Sequence, residues 1–544
     1  MERKRFSILY ETLTPTEVPK IVWYLVTTFV IVFYLFEGVP FLADPFHQGE
    51  FFALSSEIRE FGFSHIPVSI HGLLDLFPAL LTQWLFGSNN NFLPTVALYK
   101  ILNLFSAISL VALAGILTPL TRQDRRWLLL GVALISPYVV NYRDTFLLAA
   151  LLVFVVLVVS PKRHPTTMIL MVLFGTLTTA NFLWSFDRGI SGTVAMGIAT
   201  LYLARDNKWY LLPIGTFVLA LLILPIYWPT FSLMWYLENV RVLLETSSQW
   251  GYGLKFAPVI LSVYGITFNA VVLIPVIVFF RQKRQEISQN GLLIALSILA
   301  LFFVKIGTNR ADLGHISFSL WLPMLIGIRW GDNLTNHVRN NPKLIILYLS
   351  LLATVLKLGL NVLPLFLISQ IALAWPSLQS ENPNRRTRMA FRLLLVTLTA
   401  AALTYDIVSM EKGRYAWLTD IIRPPANIDI SPQSNVWAAE RILKSGSKCV
   451  FDLTNNGLIN GLTHLPPCTR FLYPVYATQR YEKELIKGVS VGDPNVIVYS
   501  ASFWSYSIDG RSMVDRFPNL DIFLRKRYPV MECSFGYCLR YKAK

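Results

Sequence analysis

The chain has 544 residues, of which 54% are hydrophobic and 15% are charged, and its formal net charge is +16. This composition excludes a soluble globular protein and indicates a polytopic membrane protein. The positive charge does not indicate nucleic-acid binding, because Lys and Arg concentrate in alternate short loops between apolar runs.

Apolar runs of about 20 residues, the length that crosses the hydrocarbon layer, recur up to residue 408. We predict about thirteen transmembrane helices from this length requirement. The predicted spans are 21–36, 92–118, 127–141, 145–160, 166–184, 190–204, 209–228, 256–280, 291–305, 314–328, 343–357, 359–376 and 389–408. The first run lacks a small-residue cleavage site, so we predict that it is retained. The excess of Lys and Arg in one set of loops places the N-terminus in the cytoplasm, and an odd number of spans carries the C-terminus outside.

Residues 37–91 are predicted to form a long outer segment with two juxtamembrane helices. The first helix lies in "DPFHQGEFFALSSEIREFG". There Asp44 suits an N-cap, and Pro45 suits the first helical position, where its missing N–H loses no hydrogen bond.

The second piece of this outer segment, 67–87, is apolar enough to be mistaken for a span. It contains His71, Asp75 and an interior Pro78. Counting it as a span would place the later basic loops outside, against the positive-inside rule. We therefore predict an amphipathic helix that lies at the outer membrane surface.

The sequence changes after about residue 411, where charges become frequent and apolar runs shorten to strand length. We predict a soluble α/β domain over 411–544 on the periplasmic side. "SNVWAAERILKSG" predicts a helix capped by Ser434, whereas "KCVFDL" and "NVIVYSAS" have the composition of strands. "MECSFGYCLRYK" predicts a hairpin closed by Gly536, and "DIFLRKRY" is ambiguous.

All four cysteines lie in this predicted domain, at Cys449, Cys468, Cys533 and Cys538. An even number of cysteines in an extracytoplasmic domain predicts two disulfides, although four ordinary buried thiols are the alternative. We favour Cys449–Cys468 with Cys533–Cys538 because sequence-local closure is simplest. A zinc site is less favoured, because "CSFGYC" has no matching close pair and His464 is the only histidine after the last span.

Ionisable residues gather at the outer ends of the predicted spans. They come from four loops: Asp44, His47 and Glu50; Arg143 and Asp144; Asp187 and Arg188; and Lys305, Arg310, Asp312 and His315. Charges at or in a membrane are costly and mark substrate paths or catalytic centres. Carboxylates accept protons or hold divalent cations, whereas Arg and Lys clamp phosphates.

Each of these residues also has a simpler interpretation. Asp44 would then be only a helix cap, the adjacent Arg and Asp residues at 143–144 and 187–188 would be interfacial ion pairs, and His315 and His71 would be polar span-end residues. The convergence of acids and bases on one face, opposite the basic loops, favours a functional site.

This organisation resembles the C-class (GT-C) integral-membrane glycosyltransferases. Members have many spans, a long first outer loop with two juxtamembrane helices, an essential Asp or Glu near the end of the first span, and often a C-terminal outer domain. Residues 37–91 match that loop, and Asp44 matches the position of the acid, with Glu50 as the second candidate. The acid stands in "DPFHQGE" instead of in an adjacent acidic pair.

The resemblance implies an inverting enzyme that takes a sugar from a polyprenyl-phosphate carrier and transfers it to a glycan or lipid acceptor. Asp44, Glu50 or His47 would act at the acceptor hydroxyl. The cations expected at the leaving phosphate are Arg310, Lys305, Arg143 and Arg188, with Asp144, Asp187, Asp312 and His315 in support. No cofactor is certain; Mg²⁺ or Mn²⁺, if used, would be held by Asp44, His47 and Glu50.

Two other functions remain open from the sequence. A polymerase or ligase of lipid-linked glycans, such as an O-antigen ligase, often carries a large late outer loop, and no such loop separates the spans after residue 316. A lipid-linked glycan flippase would be expected to have internal repeats and broken midplane helices, of which the sequence gives no sign. Compactness, outer cysteines and the lack of organelle signals indicate the bacterial plasma (inner) membrane.

Overall fold

The computed structural model describes residues 24, 26–28, 30, 31, 46–62, 66–86, 93–118, 125–159, 164–228, 233–246, 287–309, 318–339, 433–499 and 513–543. The predicted spans at 256–280, 343–357, 359–376 and 389–408 lie outside these residues, as does most of the first span. The described part of the chain is mostly helical.

The helices before residue 340 follow one another closely in sequence. They are α1 (His47–Phe61), α2 (Phe77–Phe86), α3 (Leu93–Leu117), α4 (Arg125–Val139), α5 (Thr145–Val159), α6 (His164–Trp184), α7 (Phe186–Leu203), α8 (Leu212–Tyr227), α9 (Leu233–Thr246), α10 (Ile287–Asn309) and α11 (Trp321–Arg339). Among the described residues, four helical stretches are long and apolar enough to cross a membrane: Pro94–Leu117, Tyr142–Val159, Pro165–Trp184 and Lys208–Tyr227. Each lies within a few residues of a predicted span.

The second outer helix is shorter than predicted. Within 67–87 only α2 is an α-helix, and a 3-10 turn at Leu74–Leu76 precedes it. Ten helical residues extend about 15 Å, which is too short to cross a bilayer. The side chains of Trp84 and Phe86 are exposed, as expected of a helix with one face toward lipid.

Residues 66–73 are not helical because their backbone groups bond to other segments. Val68 N donates to Arg470 O at 2.6 Å, and Leu73 N donates to Leu183 O at 2.7 Å. These tertiary hydrogen bonds replace the bonds of a helix. The prediction of a helix from residue 67 is therefore wrong.

Two other elements differ from the predictions. The helix expected at 314–328 begins later, after a turn at 318–320, and α11 continues through the stretch predicted to be a cytoplasmic loop. Pro323 lies in its first turn, where a missing N–H loses no helical hydrogen bond. The second difference is α9, which lies between the predicted spans 209–228 and 256–280, where the sequence analysis assigned only a loop.

Three apolar cores organise the described residues, and the smallest lies within the C-terminal region, around Ile442 and Leu539. Of the other two, one lies among α3, α4, α5, α6, α7, α10 and α11, and it includes the buried rings of Phe154 and Trp321. The other joins α1, residues 66–79, α9 and the C-terminal part of the chain, and it includes Phe51 and Tyr99. The buried charged residues of the outer segment lie at this last core.

The described C-terminal residues form a small α/β arrangement. Its elements are α12 (Gln433–Lys444), α13 (Gly457–Thr463), α14 (Pro474–Ala477), α15 (Glu482–Gly492), β1 (Val496–Val498), α16 (Met513–Arg516), α17 (Pro518–Arg527), β2 (Val530–Ser534) and β3 (Tyr537–Tyr541). The strand order is β1-β3-β2, and both pairings are antiparallel.

The predicted hairpin is confirmed. Strands β2 and β3 pair directly, and the two connecting residues, Phe535 and Gly536, have φ angles of 50° and 80°. A two-residue type I′ turn requires positive φ at both positions, which glycine adopts without strain.

Other local predictions in this region need correction. Helix α12 begins at Gln433, so Ser434 lies inside its first turn and does not precede it as an N-cap. "KCVFDL" forms only isolated bridges at Val450 and Asp452, because it pairs at single points with two different segments. The ambiguous "DIFLRKRY" is largely helical, within α17.

The structure contains two disulfides, with the pairing that the sequence analysis favours. Cys449–Cys468 closes a sequence separation of 19, and Cys533–Cys538 links β2 to β3 at directly paired positions. All four cysteines are used. The Cys449–Cys468 disulfide therefore links the residue before Val450 to the segment whose Phe471 pairs with Val68 of the first outer segment.

Candidate functional site

Glu50 lies on α1, which crosses α13 at very short range. A methyl group at Gly49 would lie 2.7 Å from Leu458 N, and Gly457 faces Gly49 from the other helix. Such a distance is shorter than side-chain contacts allow, so the crossing requires glycine. This contact fixes where α1 presents Glu50.

The Glu50 carboxylate is completely buried and meets donors on several sides. Oε1 accepts from Ile70 N at 3.2 Å, and Oε2 lies 3.1 Å from His71 Nε2. The Tyr476 hydroxyl lies 3.4 Å from both carboxylate oxygens. A buried charge is tolerated when it is paired and hydrogen-bonded. Here His71 provides the ion pair, and Ile70 N and Tyr476 provide hydrogen bonds. They also surround Glu50, so a substrate hydroxyl reaches it only if Tyr476 moves.

His71 bridges Glu50 to Asp75, and we call these three residues the histidine trio. His71 Nδ1 lies 2.6 Å from Asp75 Oδ2. Burial alone lowers the pKa of His71, but the charges of Asp75 and Glu50 outweigh it and raise the pKa to about 9. The two carboxylates therefore favour the imidazolium form of His71. The i, i+4 spacing of His71 and Asp75 in an apolar stretch is the sequence signal that indicates this pair.

A second group of charges begins in the turn before α5. There Asn141 forms a capping box: its Oδ1 accepts from Arg143 N at 2.9 Å, and its N donates to Asp144 Oδ2 at 3.0 Å. In a capping box, the side chains of the cap residue and of the residue three positions later accept hydrogen bonds from backbone N–H groups that otherwise have no partner. These bonds stabilise the local turn. Asp144 is completely buried, and its second oxygen faces α7.

Arg188 on α7 joins the two acids of this second group. Its Nε donates to Asp144 Oδ1 at 3.2 Å, and its Nη1 pairs with Asp187. Its guanidinium lies 5.2 Å from the ring centroid of Phe303 on α10, a cation–π contact. Ser185 Oγ donates to Asp187 Oδ1 at 2.7 Å and holds that carboxylate in place.

Arg143 completes what we call the arginine group: Arg143, Asp144, Asp187 and Arg188. Its Nη1 lies 4.0 Å from Asp187 Oδ2, its Nη2 donates to Ile70 O at 3.3 Å, and its Nε has no partner. The side chains of Arg143 and Asp187 are 19% and 16% exposed. Of the two ion pairs considered from the sequence, Asp187 with Arg188 is present, whereas Asp144 pairs with Arg188 and not with Arg143.

Aromatic side chains fill the space beside the histidine trio. The ring centroid of Phe51 lies 4.3 Å from that of His71 and 4.2 Å from that of Tyr99, and Tyr99 lies 5.0 Å from Tyr142. The Tyr99 hydroxyl donates to the backbone carbonyl of Asp75. Packing of this kind excludes water, which strengthens electrostatic interactions between the buried charges.

The C-terminal region covers the Glu50 side of the site. Val68 and Phe471 form a parallel bridge, and the Tyr473 hydroxyl donates to Phe46 O at 2.7 Å. With Tyr476, these contacts place two tyrosines of one short segment against α1. Neither tyrosine was found from the sequence, because an aromatic residue in an ordinary helix or loop gives no signal of distant contacts.

Ion pairs join the same C-terminal segment to α9. Arg470 Nη1 lies 3.5 Å from Glu238 Oε1, and Arg480 Nη2 lies 3.1 Å from Glu245 Oε2. The Tyr481 hydroxyl also donates to Glu245 at 2.8 Å. These pairs are partly exposed and hold α9 beside residues 66–73.

Five predicted site residues converge in this region: Glu50, Arg143, Asp144, Asp187 and Arg188. Four others lie outside the described residues, at Asp44, Arg310, Asp312 and His315. The side chains of His47 on α1 and Lys305 on α10 are likewise outside the description. Within the described residues, no group of three or more His, Cys, Asp or Glu side chains could hold a metal ion. A metal on Asp44, His47 and Glu50 stays a prediction.

No protein-family model and no curated protein matches the chain. Among solved structures, the archaeal oligosaccharyltransferase AglB from Archaeoglobus fulgidus, in complex with an inhibitory peptide and a dolichol-phosphate, is similar with a TM-score of 0.45 and 10% identity, over 96% of this chain and 74% of that chain. The Archaeoglobus fulgidus oligosaccharyltransferase in complex with Zn and sulfate is similar with a TM-score of 0.42 and 11% identity, over 93% and 71%. Both TM-scores are below 0.5, so the functional conclusion rests on the charged groups of this chain.

Proposed function

We propose that the protein is an inverting membrane glycosyltransferase that moves a sugar from a polyprenyl-phosphate carrier to a glycan or lipid acceptor. One observation carries the proposal. Four separate segments bring four carboxylates, two arginines and one histidine together beside helices of membrane-spanning length. Charges in such surroundings cost free energy and are typical of sites where chemistry requires them.

The proposed base is Asp44, with Glu50 as its rival. A general base must reach the proton that it removes, and Glu50 is enclosed by His71, Tyr476 and the backbone of Ile70. Asp44 lies two residues before Phe46, whose carbonyl bonds Tyr473. In the proposed step the carboxylate takes the acceptor proton, and the acceptor oxygen attacks the anomeric carbon. The bond from that carbon to the phosphate oxygen then breaks, and its electron pair leaves with the polyprenyl phosphate.

The leaving phosphate gains charge as that bond breaks, so cations placed against it stabilise the transition state. Arg188 is already shared between Asp144 and Asp187, whereas Arg143 keeps an unpaired Nε and an exposed edge. With His71 protonated, the two groups together hold four carboxylates against three cations. A phosphate near this excess of negative charge needs further cations, and Lys305 and Arg310 are the proposed source.

We also propose that residues 411–544 are a soluble domain on the outer side of a bacterial plasma membrane, the same side as the first outer segment. Support comes from the bridge between Val68 and Phe471 and from the bond between Tyr473 and Phe46, since segments in contact share one side of a membrane. Two disulfides favour an oxidising compartment.

The test compares Asp44→Asn with Glu50→Gln in the purified full-length protein. Each variant receives polyprenyl-phosphate hexoses and a membrane glycolipid extract, and sugar transfer is measured together with the melting temperature. We expect Asp44→Asn to melt normally and to transfer sugar roughly 10²–10⁴-fold more slowly, because a general base contributes that much. Glu50→Gln should lower the melting temperature, because it leaves His71 with one carboxylate fewer.

The outcomes separate the candidates. Normal transfer by Asp44→Asn, with an inactive but stable Glu50→Gln, would move the base to Glu50. Parental rates in both variants, and also in Asp144→Asn and Asp187→Asn, would mean that the glycosyltransferase site is wrong.

A further inference from the structure

Helix α9 has an apolar stripe on its exposed side. The exposed side chains of α9 are Met234, Leu237, Arg241 and Leu244, and all but the arginine are large and apolar. Their spacing of three and four residues places them on one face of the helix, and we call these four residues the α9 stripe. The opposite face of α9 is buried. A surface helix that meets water has polar residues on its exposed face, so the α9 stripe indicates contact with an apolar environment.

The acidic residues of α9 lie along one edge of the α9 stripe. Glu238 and Glu245 each follow a leucine of the stripe by one position. Arg470 Nη1 lies 3.5 Å from Glu238 Oε1, and Arg480 Nη2 lies 3.1 Å from Glu245 Oε2. The edge of α9 beside the C-terminal region is therefore polar and paired with protein, whereas the α9 stripe faces another direction.

Arg241 is the charged member of the α9 stripe. Its Nη2 lies 2.6 Å from Glu238 Oε1, and its Nη1 lies 3.7 Å from Glu245 Oε1. Both contacts draw the guanidinium toward the acidic edge, so that its methylene groups lie along the stripe. Arginines at a membrane surface adopt this arrangement, with the stem in the apolar layer and the charge toward water.

Contacts with two helices of membrane-spanning length fix the level of α9. The Tyr236 hydroxyl donates to Phe182 O at 2.7 Å. The ring centroid of Phe182 lies 5.5 Å from that of Tyr236 and 5.8 Å from that of Phe217 on α8. Phe182 lies in the last turn of α6, at the end of the apolar stretch Pro165–Trp184. Helix α9 therefore packs against the end of this stretch and does not stand clear of it.

Helix α8 continues past this level with exposed apolar side chains. Phe217 precedes Tyr227, the last residue of α8, by ten positions, and ten helical residues extend about 15 Å. Over that length Leu222, Ile226 and Tyr227 are exposed, as expected of a spanning helix that faces lipid. The lipid around this part of α8 therefore reaches the level of α9.

We propose that α9 is a membrane-surface helix whose stripe lies against bilayer lipid, at the boundary between headgroups and acyl chains. Lipid is the occupant because the stripe is apolar at the depth of the lipid-exposed part of α8, while its acidic edge is paired with protein. The inference goes beyond glycosyl transfer and does not depend on it. It also places the histidine trio close to the lipid headgroups, because Trp235 Nε1 of α9 donates to Ile66 O at 2.6 Å and holds α9 beside residues 66–73.

The test uses nitroxide labels on the full-length protein in lipid nanodiscs. All four native cysteines are in disulfides, so one introduced cysteine is labelled alone. Met234→Cys and Leu237→Cys report on the α9 stripe. Leu222→Cys, on the exposed side of α8, is the lipid control, and Val491→Cys, 78% exposed on α15, is the water control. Each variant should melt near the parental temperature, because substitutions of exposed side chains change stability little.

Electron paramagnetic resonance then measures how often each label collides with oxygen, which concentrates in lipid, and with a water-soluble nickel chelate. We expect the two labels on the stripe to meet the nickel chelate several-fold less often than the label at position 491, and oxygen more often. The label at position 222 should be the most protected from nickel, because it lies deeper. Nickel collisions on the stripe as frequent as those at position 491 would place the stripe in water. Exclusion of both reagents would mean that protein, such as a second copy of the chain, covers it. Either result overturns the inference, and neither bears on the proposed function, because the measurement involves no sugar transfer.

Discussion

The histidine trio and the arginine group use similar side chains but differ in how they are closed. In the trio no side chain is more than 2% exposed, and Tyr476 covers Glu50. In the arginine group Asp144 and Arg188 are equally enclosed, yet Arg143 and Asp187 reach the surface. The side chains of the trio are therefore almost completely buried, whereas the arginine group has one exposed edge.

The cations of the two groups also differ in kind. The trio depends on an imidazole, whose charge depends on pH, whereas the arginine group depends on guanidinium groups that stay charged. The histidine trio can therefore lose its positive charge as pH rises, whereas the arginine group cannot. In the proposed glycosyl transfer, the donor phosphate would therefore approach the arginine group, and the trio would position α1.

Removing one arginine at a time tests whether the arginine group is open at one edge only. Arg188→Met leaves the buried Asp144 carboxylate without its cation, and breaking a buried ion pair costs about 3–5 kcal/mol of unfolding free energy. Arg143→Met should cost much less, because its one carboxylate partner is distant and partly exposed. Equilibrium unfolding in mixed micelles measures both. Sugar transfer should show the Arg143 variant with a raised donor KM.

The control for this pair is the double variant Arg188→Met with Asp144→Asn, which removes both charges. It should recover part of the lost stability, since no buried charge is left unpaired. If Arg143→Met destabilises the protein as much as Arg188→Met does, the arginine group is closed like the trio and the comparison fails.

Much of the helical framework was predictable because apolar length is a local signal. Helices α3, α5, α6 and α8 agree with predicted spans for this reason. The errors occurred where distant backbone groups compete with helical bonds, as at residues 66–73, which bond to Arg470 and Leu183. The local sequence "PVSIHGLL" contains no pattern that predicts hydrogen bonds to these distant residues.

Some residues of the candidate site were likewise predictable from the sequence, and others were not. Arg143, Asp144, Asp187 and Arg188 stand out because charges at the ends of apolar runs are rare. His71 with Asp75 was interpreted as part of a helix and was not assigned to the site. The contact of Tyr476 with Glu50 depends on the C-terminal region packing against α1, which sequence spacing does not encode.

The disulfide between Cys449 and Cys468 tests how the trio is kept closed. It lies just before the segment that carries Phe471, Tyr473 and Tyr476. Replacing both cysteines by serine should lower the unfolding free energy by about 3 kcal/mol, because the unfolded chain gains freedom over the opened loop. The trio should also open more often, so carbodiimide labelling of Glu50, read by mass spectrometry, should increase.

The hairpin disulfide is the matched control for this change. Replacing Cys533 and Cys538 by serine opens a sequence separation of 5 instead of 19, so the expected loss is smaller. It should leave the labelling of Glu50 unchanged. Equal labelling in the two double variants would show that the first disulfide does not hold the C-terminal segment over the trio.

The smallest expected effect is the dependence of stability on the charge of His71. Its pKa is about 9 in the folded protein, above the ordinary value of 6.5, so the folded state binds the proton more tightly. The stabilisation is fully present below pH 6.5 and is lost as pH rises through about 9. Between pH 6.5 and 8 the loss should be about 2 kcal/mol, since one proton contributes about 1.4 kcal/mol per pH unit.

Comparison with His71→Gln isolates the contribution of the His71 charge to the pH dependence of stability, because other titrating groups contribute equally to the parent and to the variant. The variant should be less stable than the parent below pH 6.5, and the difference between them should shrink steadily as pH rises toward 9. Asp75→Asn should give an intermediate slope, because it removes one of the two carboxylates that hold the imidazolium and leaves Glu50. A parent and a His71→Gln variant with parallel profiles from pH 6 to 9 would show that His71 is neutral in the folded protein. The trio would then be two carboxylates around a neutral ring, and the contrast between a titratable closed group and a permanently charged open one would disappear.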